Sequence, residues 1–180
     1  MSAQPTVLIL ASGRGERFIA SGGHGSKLDA LLNGKTVLEW TLEAVKAAGL
    51  PWHVEAAGHP GMGDSIAAAV RATSTSKGWL ILPADLPLVS PQTICAVANA
   101  LAQGAQAAYP EHAGERGHPV GFAAWAGLPL LSLSGNLGAA GILSALNATK
   151  IVVNDLGCVR DVDRLEDLSE MQRLLSLRNV

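Results

Sequence analysis

Residues 7–18 read Val-Leu-Ile-Leu-Ala-Ser-Gly-Arg-Gly-Glu-Arg-Phe, and the rest of the chain is organised around them. The apolar run 7–10 is typical of a short strand that is buried on both faces of a parallel sheet. The small residues that follow let the backbone approach a ligand closely, so their amides are predicted to cradle an anion. Arg14, Arg17 and Lys27 add positive charge nearby. A strand that enters a glycine loop beside cations indicates a phosphate-binding site at the carboxyl end of a sheet.

Two common nucleotide-binding loops do not match this stretch. The dinucleotide fingerprint G-x-G-x-x-G requires its third glycine where Phe18 stands. The P-loop requires a glycine where Asp29 stands, five residues before the pair Gly34-Lys35. An ordinary strand-to-helix turn is therefore the alternative interpretation of the loop.

Length and composition predict one domain, residues 1–180, large enough to bury about 70% of its unfolded surface. The apolar runs are far shorter than the roughly 18–20 residues of a membrane span, and the first residues lack the basic and apolar regions of a signal peptide. Cys95 and Cys158 have no metal-ligand spacing, which suits a reducing cytoplasm. A net charge of −2, one tyrosine and two phenylalanines argue against a nucleic-acid partner. We expect a cytoplasmic protein without a membrane or nucleic-acid partner.

Short apolar runs alternate with helical periodicity along the chain. The predicted strands after the first are 52–56, 79–82, 105–109, 120–124 and 149–153. The predicted helices are 36–48, 64–71, 91–102, 128–133, 138–147 and 164–177, with Asp64 or Ser65 as the cap of the second and a polar loop over 110–119. This alternation predicts a three-layer α/β/α, Rossmann-like fold with a mostly parallel mixed sheet.

Asp85 is the strongest single candidate for chemistry. It follows a predicted buried strand, in a turn between Pro83 and Pro87, at the sheet edge where open α/β folds bind ligands. A magnesium ion that is bound to a nucleotide needs only one or two carboxylates from the protein. The alternative is that Asp85 merely accepts backbone hydrogen bonds within the turn.

The stretch from Leu10 to Arg17, followed by Lys27, resembles the signature L-A-[AG]-G-x-[GS]-x-R-[MF]…K of the MobA-like NTP transferases. This family includes the molybdenum cofactor cytidylyl- and guanylyltransferases. The resemblance implies that the loop wraps a triphosphate and that Lys27 helps to neutralise it. Ser12 replaces the usual alanine or glycine, and residues 21–26 read as an insertion before Lys27.

Four later segments resemble family motifs in the same order. Residues 61–65 are similar to the G-M-G-x-S segment of the cytidylyl branch. Residues 83–87 are similar to the motif [PG]-x-D-x-P, whose aspartate coordinates magnesium in the family. Residues 116–119 are similar to R-[GR]-G-H-P on the acceptor side, although a solitary histidine is more often structural or solvated. Residues 158–167 are similar to the terminal D-[IV]-D-T-P-E-D. By contrast, 135–140 carries Asn and Ala where the family has Asp and Arg.

The terminal motif contains two aspartates that are separated by one residue. We expect at most one of Asp161 and Asp163 to face a metal ion. Asp163 directly precedes the terminal helix and is expected to cap it. Asp161 is then the better candidate for a second magnesium contact.

Together, the residues and the resemblance imply a set of site residues. The catalytic ones are Arg17, Lys27 and Asp85. The nucleotide-binding ones are Leu10, Ala11, Ser12, Gly13, Arg14, Gly15, Lys27, Gly61, Met62, Gly63, Ser65 and Ala84. The acceptor-side ones are Gly117, His118 and Pro119. The metal ligands are Asp85 and Asp161, for Mg²⁺ or alternatively Mn²⁺.

The resemblance implies transfer of a nucleoside monophosphate to the molybdopterin cofactor, with release of pyrophosphate. The segments that are similar to the cytidylyl branch imply that the group transferred is CMP and that its donor is CTP. Transient contact with a molybdoenzyme or its maturation chaperone is an implied partnership. One alternative keeps the chemistry and changes the substrate, to a guanylyl or a sugar- or polyol-phosphate nucleotidyltransferase. Another is a non-catalytic nucleotide-binding or chaperone-like protein, which the departures at Asn136 and Ala140 motivate.

Overall fold

A computed structural model describes residues 4–178, and most of its strands join one mixed sheet. The strands of that sheet are β1 (Thr6–Leu10), β4 (Trp52–Glu55), β5 (Gly78–Pro83), β6 (Ala107–His112), β7 (Glu115–Arg116), β8 (Val120–Ala123) and β9 (Thr149–Val152). A separate small hairpin consists of β2 (Leu31–Leu32) and β3 (Lys35–Thr36).

Helices and short 3-10 turns connect the strands. The helices are α1 (Glu16–Ala20), α2 (Val37–Ala48), α3 (Met62–Ala72), α4 (Pro91–Ala102), α5 (Gly127–Leu131), α6 (Ala140–Ser144) and α7 (Leu165–Arg178). Across the described part of the chain, none of these helices has the length and apolarity that crossing a bilayer requires.

The sheet has the order β4-β1-β5-β8-β6, with β9 along the other edge of β6. β4, β1, β5, β6 and β9 run in one direction, while β8 runs antiparallel between β5 and β6. One face packs against α2, α4 and α7, and the other packs against α3, α5 and α6. The predicted three-layer, mostly parallel mixed fold is confirmed.

The first strand lies at the centre of this arrangement. Val7 and Ile9 point into one core and Leu8 into the other, and all three are fully buried. The chain leaves β1 to form β4 on one side, and it then crosses back to form β5 on the other. In open α/β sheets such a reversal leaves a crevice at the carboxyl ends of the strands. The residues that follow β1 and β5 therefore meet, and the Ala84 amide donates to the Leu10 carbonyl at 3.0 Å.

Helix α3 starts earlier than the sequence indicates. Its N-cap is Gly61 in extended conformation, so the prediction that Asp64 or Ser65 caps it is wrong. The carboxylate of Asp64 instead accepts from the Gly135 amide at 2.9 Å. A Cβ on Gly61 would lie 2.2 Å from the Gly135 carbonyl oxygen, so only glycine permits this close approach of the two backbones.

The prediction of a polar loop over 110–119 is also wrong, because these residues form a hairpin. β6 continues to His112 and turns back as β7, with Glu111 opposite Arg116. The turn residues Ala113 and Gly114 have φ of 51° and 85°. Two successive residues with positive φ form the kind of tight turn whose twist matches that of a two-stranded hairpin. Such turns usually have the sequence Asn-Gly, and the alanine at the first position here explains why the sequence did not indicate a hairpin.

Gly157→Ala is expected to destabilise the fold by about 3 kcal/mol or more, because overpacking against backbone cannot relax cheaply. The new Cβ would lie 1.9 Å from the Leu88 carbonyl oxygen. Urea unfolding measures the effect, and Gly141→Ala in α6 is the control because its Cβ would meet nothing within 4 Å. Equal unfolding midpoints for the two variants would contradict this packing.

Candidate active site

A cavity of about 580 Å³ lies where the ends of β1 and β5 meet. Its walls come from the loop after β1, the 3-10 turn at 27–29, the entry to α3, and the segment before α7. The lining residues are Leu10, Ser12, Gly13, Arg14, Gly15, Glu16, Arg17, Lys27, Leu28, His59, Pro60, Gly61, Met62, Ser65, Pro83, Asp85, Asn136 and Asp163.

The glycine loop presents unused backbone donors to this cavity. The Ala11 amide still extends the sheet by donating to the Glu55 carbonyl at 2.8 Å. Beyond it, the amides of residues 12–15 donate to no protein acceptor within residues 4–178. Gly15 has a φ of 62°, which turns the chain into α1. Four free amides beside two arginines can bind an anion such as a phosphate chain.

Lys27 and Asp85 form an ion pair across the cavity. The Lys27 Nζ lies 2.5 Å from Asp85 Oδ2, and the two side chains are only 13% and 15% exposed. Lys27 begins a 3-10 turn that the Ser26 hydroxyl caps by accepting from the Leu28 amide. Leu28 is buried in the core, so the turn holds Lys27 at this place despite the longer loop before it.

The turn that carries Asp85 is fixed by hydrogen bonds from two other segments. The Thr41 hydroxyl in α2 donates to the Ala84 carbonyl at 2.8 Å, and the Val162 amide donates to the Asp85 carbonyl at 2.9 Å. Asp85 Oδ1 is buried and has no hydrogen-bond partner within the described residues. A buried carboxylate oxygen without a donor is costly unless a cation occupies the position it faces. Asp85 therefore fits a divalent metal ion, with one oxygen held by Lys27 and the other available.

The two terminal aspartates have different partners. Burial and then the charge of Asp85 raise the pKa of Asp161. The carboxylate of Asp163 accepts from Arg17 Nη1 at 2.7 Å, so the prediction that Asp163 caps the terminal helix is wrong. Asp167, in the first turn of α7, instead accepts from the amides of Asp163 and Arg164. Sequence spacing could not separate these two acceptors at the helix start.

Arg17 remains close to the predicted phosphate site. Its hydrogen bond with Asp163 raises the pKa of its guanidinium, and the side chain is 74% exposed. The Ser21 hydroxyl accepts from the Leu165 amide at 2.9 Å, which ties the start of the lengthened loop to α7. The loop and α7 are thus packed together beside the cavity.

The entry to α3 forms the opposite wall. The hydroxyls of Ser12 and Ser65 share a hydrogen bond with 2.6 Å between the oxygens, so the wall is joined to the glycine loop. Gly63 is packed against the backbone of residues 134–137, and its amide donates to the Gly135 carbonyl at 2.8 Å. Asn136 reaches the cavity from that loop.

Most, but not all, of the predicted residues line this cavity. Ala11 has its amide in the sheet, Gly63 is buried under the loop at 134–137, and Ala84 is buried beneath its turn. These three and Asp161 are absent from its lining. They support the walls or lie beside them.

A second cavity of about 260 Å³ contains the predicted acceptor residues Gly117 and His118, while Pro119 lies outside its lining. It shares Met62 with the first cavity, so the two are neighbours. Burial lowers the pKa of His118, which keeps its imidazole neutral, and Nδ1 has no hydrogen-bond partner in the described chain. A Cβ on Gly117 would lie 2.6 Å from the Cys158 carbonyl oxygen, so this strand entry also requires glycine.

A histidine–glutamate pair at the end of β4 was missed from the sequence. His59 Nε2 lies 3.0 Å from Glu55 Oε1. Burial raises the pKa of Glu55, but hydrogen bonds from His59, His53 and the Ala57 amide outweigh it and lower the pKa overall. The available signal was an acidic residue at the end of a predicted buried strand, followed four residues later by a histidine.

Within the described residues, no cluster of three or more histidine, cysteine, aspartate or glutamate side chains could hold a metal ion. A site that relies on one or two carboxylates therefore suits a cation whose other ligands are phosphate oxygens and water.

Comparisons with known proteins identify the family and agree with the fold. The MobA-like NTP transferase domain model matches residues 42–151, whereas curated protein sequences gave no match. A Methanothermobacter nucleotidyl transferase has a similar structure, with 19% identity, a TM-score of 0.79, and 99% of this chain and 100% of that chain covered.

Two further solved structures share the fold. Rv0371c of Mycobacterium tuberculosis in complex with manganese is 19% identical, with a TM-score of 0.74, and 96% of this chain and 100% of that chain are covered. Molybdopterin-guanine dinucleotide biosynthesis protein A of Archaeoglobus fulgidus is 21% identical, with a TM-score of 0.70 and coverages of 95% and 98%. The chain belongs to the MobA-like NTP transferase domain family.

Proposed function

We propose that this nucleotidyltransferase family member transfers CMP from CTP to the molybdopterin cofactor, with Mg²⁺ and with release of pyrophosphate. The observation that carries the proposal is the pairing, in one cavity, of an anion-binding loop with the unpartnered oxygen of Asp85. A nucleoside triphosphate has the chemistry that both features need, because it brings a chain of anionic oxygens and a divalent cation together.

The glycine loop and the cations bind the triphosphate in this proposal. The free amides of residues 12–15 receive phosphate oxygens, and Arg14 and Arg17 add charge at the exposed rim. Lys27 lies deeper, beside Asp85, where it neutralises charge that develops during the reaction.

Asp85 and Asp161 are the residues that hold the metal ion. When bound, Mg²⁺ supplies charge neutralisation to the phosphates and makes the α-phosphorus more electrophilic. Mn²⁺ is the alternative ion, and the manganese complex of one structural neighbour supports the use of a divalent metal in this fold.

The chemistry is an in-line displacement. A phosphate oxygen of the acceptor forms a bond to the α-phosphorus, the bond from that phosphorus to the bridging oxygen of the β-phosphate breaks, and the electron pair leaves with pyrophosphate. Such a reaction requires positioning and charge neutralisation from the protein, and no covalent nucleophile. Ser12 and Ser65 are hydrogen-bonded to each other, and burial raises the pKa of the Cys158 thiol to about 11, so none of the three is an activated nucleophile.

The second cavity is the proposed acceptor site. It adjoins the first through Met62, and its lining includes the neutral His118, beside which the pterin would lie. The product would pass from there to a molybdoenzyme or its maturation chaperone. CTP is proposed as the donor because residues 61–65 and 116–119 resemble the cytidylyl branch.

Pyrophosphate release with Mg²⁺ and molybdopterin cofactor tests the proposal, with CTP, GTP, ATP and UTP compared. We expect release with CTP to exceed release with the other three nucleotides. Release with GTP alone would move the protein to a guanylyl activity with the same mechanism. Nucleotide binding without release, with sugar- and polyol-phosphates also tried as acceptors, would favour a non-catalytic role and contradict the proposal.

A further inference from the structure

The proposed mechanism leaves one buried polar pair beside the first cavity unused. His59 lines the cavity at the entry to α3, and its Nε2 is hydrogen-bonded to Glu55. Glu55 is a buried carboxylate at the carboxyl end of β4, directly alongside Leu10 of β1. Burying a charged carboxylate is costly unless it is hydrogen-bonded. The hydrogen bond to Glu55 therefore stabilises one orientation of the His59 ring.

The surroundings of Glu55 determine which ring nitrogen of His59 carries a proton. The carboxylate accepts from the Ala57 amide at 3.2 Å and lies 3.4 Å from His53 Nε2. The lowered pKa of Glu55 keeps it ionised, and an ionised carboxylate can only accept hydrogen bonds. His59 Nε2 must therefore donate. In a neutral imidazole Nδ1 is then an acceptor, and no protein group in residues 4–178 hydrogen-bonds to it.

The charge distribution in the cavity indicates which part of a nucleotide lies beside His59. Arg14, Arg17 and Lys27 line the side of the glycine loop. The wall at 59–65 contributes no lysine, arginine, aspartate or glutamate to the lining, and it includes the apolar side chain of Met62. A triphosphate on the cationic side places the base against this uncharged wall.

We infer that His59 is a specificity-determining residue that accepts a hydrogen bond from the exocyclic amino group of the base, and that Glu55 is the positioning residue that fixes its tautomer. Cytosine carries such an amino group, whereas uracil presents a carbonyl oxygen at the same position. The pair therefore discriminates CTP from UTP. This inference rests on the proposed nucleotide site and deepens it.

The test measures dissociation constants for CTP and UTP by calorimetry with Mg²⁺ and without acceptor. The titrations are run at pH 8.5, about two units above the ordinary pKa of a free imidazole. His59→Phe keeps a planar ring without nitrogen, and His59→Asn keeps an acceptor. Glu55→Gln can donate as well as accept, so it releases the tautomer. His53→Phe is the matched control, because His53 contacts Glu55 but is not among the residues that line the cavity.

We expect the wild type to prefer CTP over UTP by about tenfold, the worth of one hydrogen bond together with the clash of two acceptors. His59→Phe should bring the two constants to within about twofold of each other, because CTP loses its hydrogen bond and UTP loses the repulsion between two acceptors. His59→Asn should retain part of the preference, Glu55→Gln should reduce it, and His53→Phe should keep it. In turnover assays, KM for CTP should rise in His59→Phe with kcat nearly unchanged.

An unchanged ratio in His59→Phe, or equal binding of CTP and UTP by the wild type, would overturn the inference and leave the nucleotide site intact. Failure of the wild type to bind any nucleoside triphosphate would overturn the proposed function and this inference with it. The two failures are thus distinguishable from the wild-type titrations alone.

Discussion

Asp85→Asn lowers the rate of nucleotidyl transfer by about a thousandfold, which corresponds to about 4 kcal/mol of lost transition-state stabilisation. The amide keeps the size of the side chain but removes the charge that a cation and Lys27 both need. Because hydrogen bonds from the Val162 amide and the Thr41 hydroxyl to backbone carbonyls hold the turn, the fold should survive the change. Initial rates of pyrophosphate release at saturating Mg²⁺ and nucleotide give the result.

Glu43→Gln is the control for Asp85→Asn. Glu43 pairs with Lys35 on an exposed face away from the cavity lining, so its neutralisation should leave the rate within about twofold. Asp85→Asn should also bind Mn²⁺ more weakly than the wild type, whereas Glu43→Gln should not. Electron paramagnetic resonance measures this binding. Near-wild-type turnover in Asp85→Asn would mean that Asp85 accepts hydrogen bonds in its turn and holds no metal ion.

Lys27→Met changes two binding constants in opposite directions. Loss of a largely buried ammonium should weaken CTP binding about thirtyfold, as expected for a charge-assisted hydrogen bond to phosphate. In the absence of nucleotide, Mn²⁺ should bind more tightly than to the wild type, because Asp85 Oδ2 no longer has a competing cation 2.5 Å away. Calorimetry with CTP and resonance titration with Mn²⁺ measure the two effects separately.

Lys35→Met provides the comparison for Lys27→Met, since Lys35 is an exposed lysine in an ion pair with Glu43. It should change neither constant appreciably. If Lys27→Met bound CTP as tightly as the wild type, the lengthened loop would direct Lys27 away from the triphosphate. Weaker Mn²⁺ binding in that variant would contradict competition between the lysine and the metal for Asp85.

The central strand and the glycine loop could be predicted because local sequence and global position agree there. A short apolar run without alternation is typical of a strand that is buried on both faces of a parallel sheet, and the glycines that follow it favour a loop. The position of Asp85 in the cavity could be predicted because open α/β folds bind ligands at the carboxyl ends of their strands.

The errors occur where contacts between distant segments decide the structure. The start of α3 depends on Gly135, some seventy residues later, and that partner has no local signal in the sequence. Asp163 turns towards Arg17 because the loop and α7 pack together, a contact that overrides the preference of aspartate for helix caps. The Glu55–His59 pair was missed because single polar residues at a strand end gave no periodic pattern.

The most direct measurement of the central claim follows the α-phosphorus of CTP. The protein is incubated with Mg²⁺, molybdopterin cofactor and CTP that is labelled at either the α- or the γ-phosphorus. The products are then separated, and their masses are determined by mass spectrometry. We predict that the α-label appears in a product heavier than the acceptor by one CMP unit, and that the γ-label appears only in pyrophosphate. Recovery of the α-label solely as CTP or free CMP would contradict nucleotidyl transfer to this acceptor.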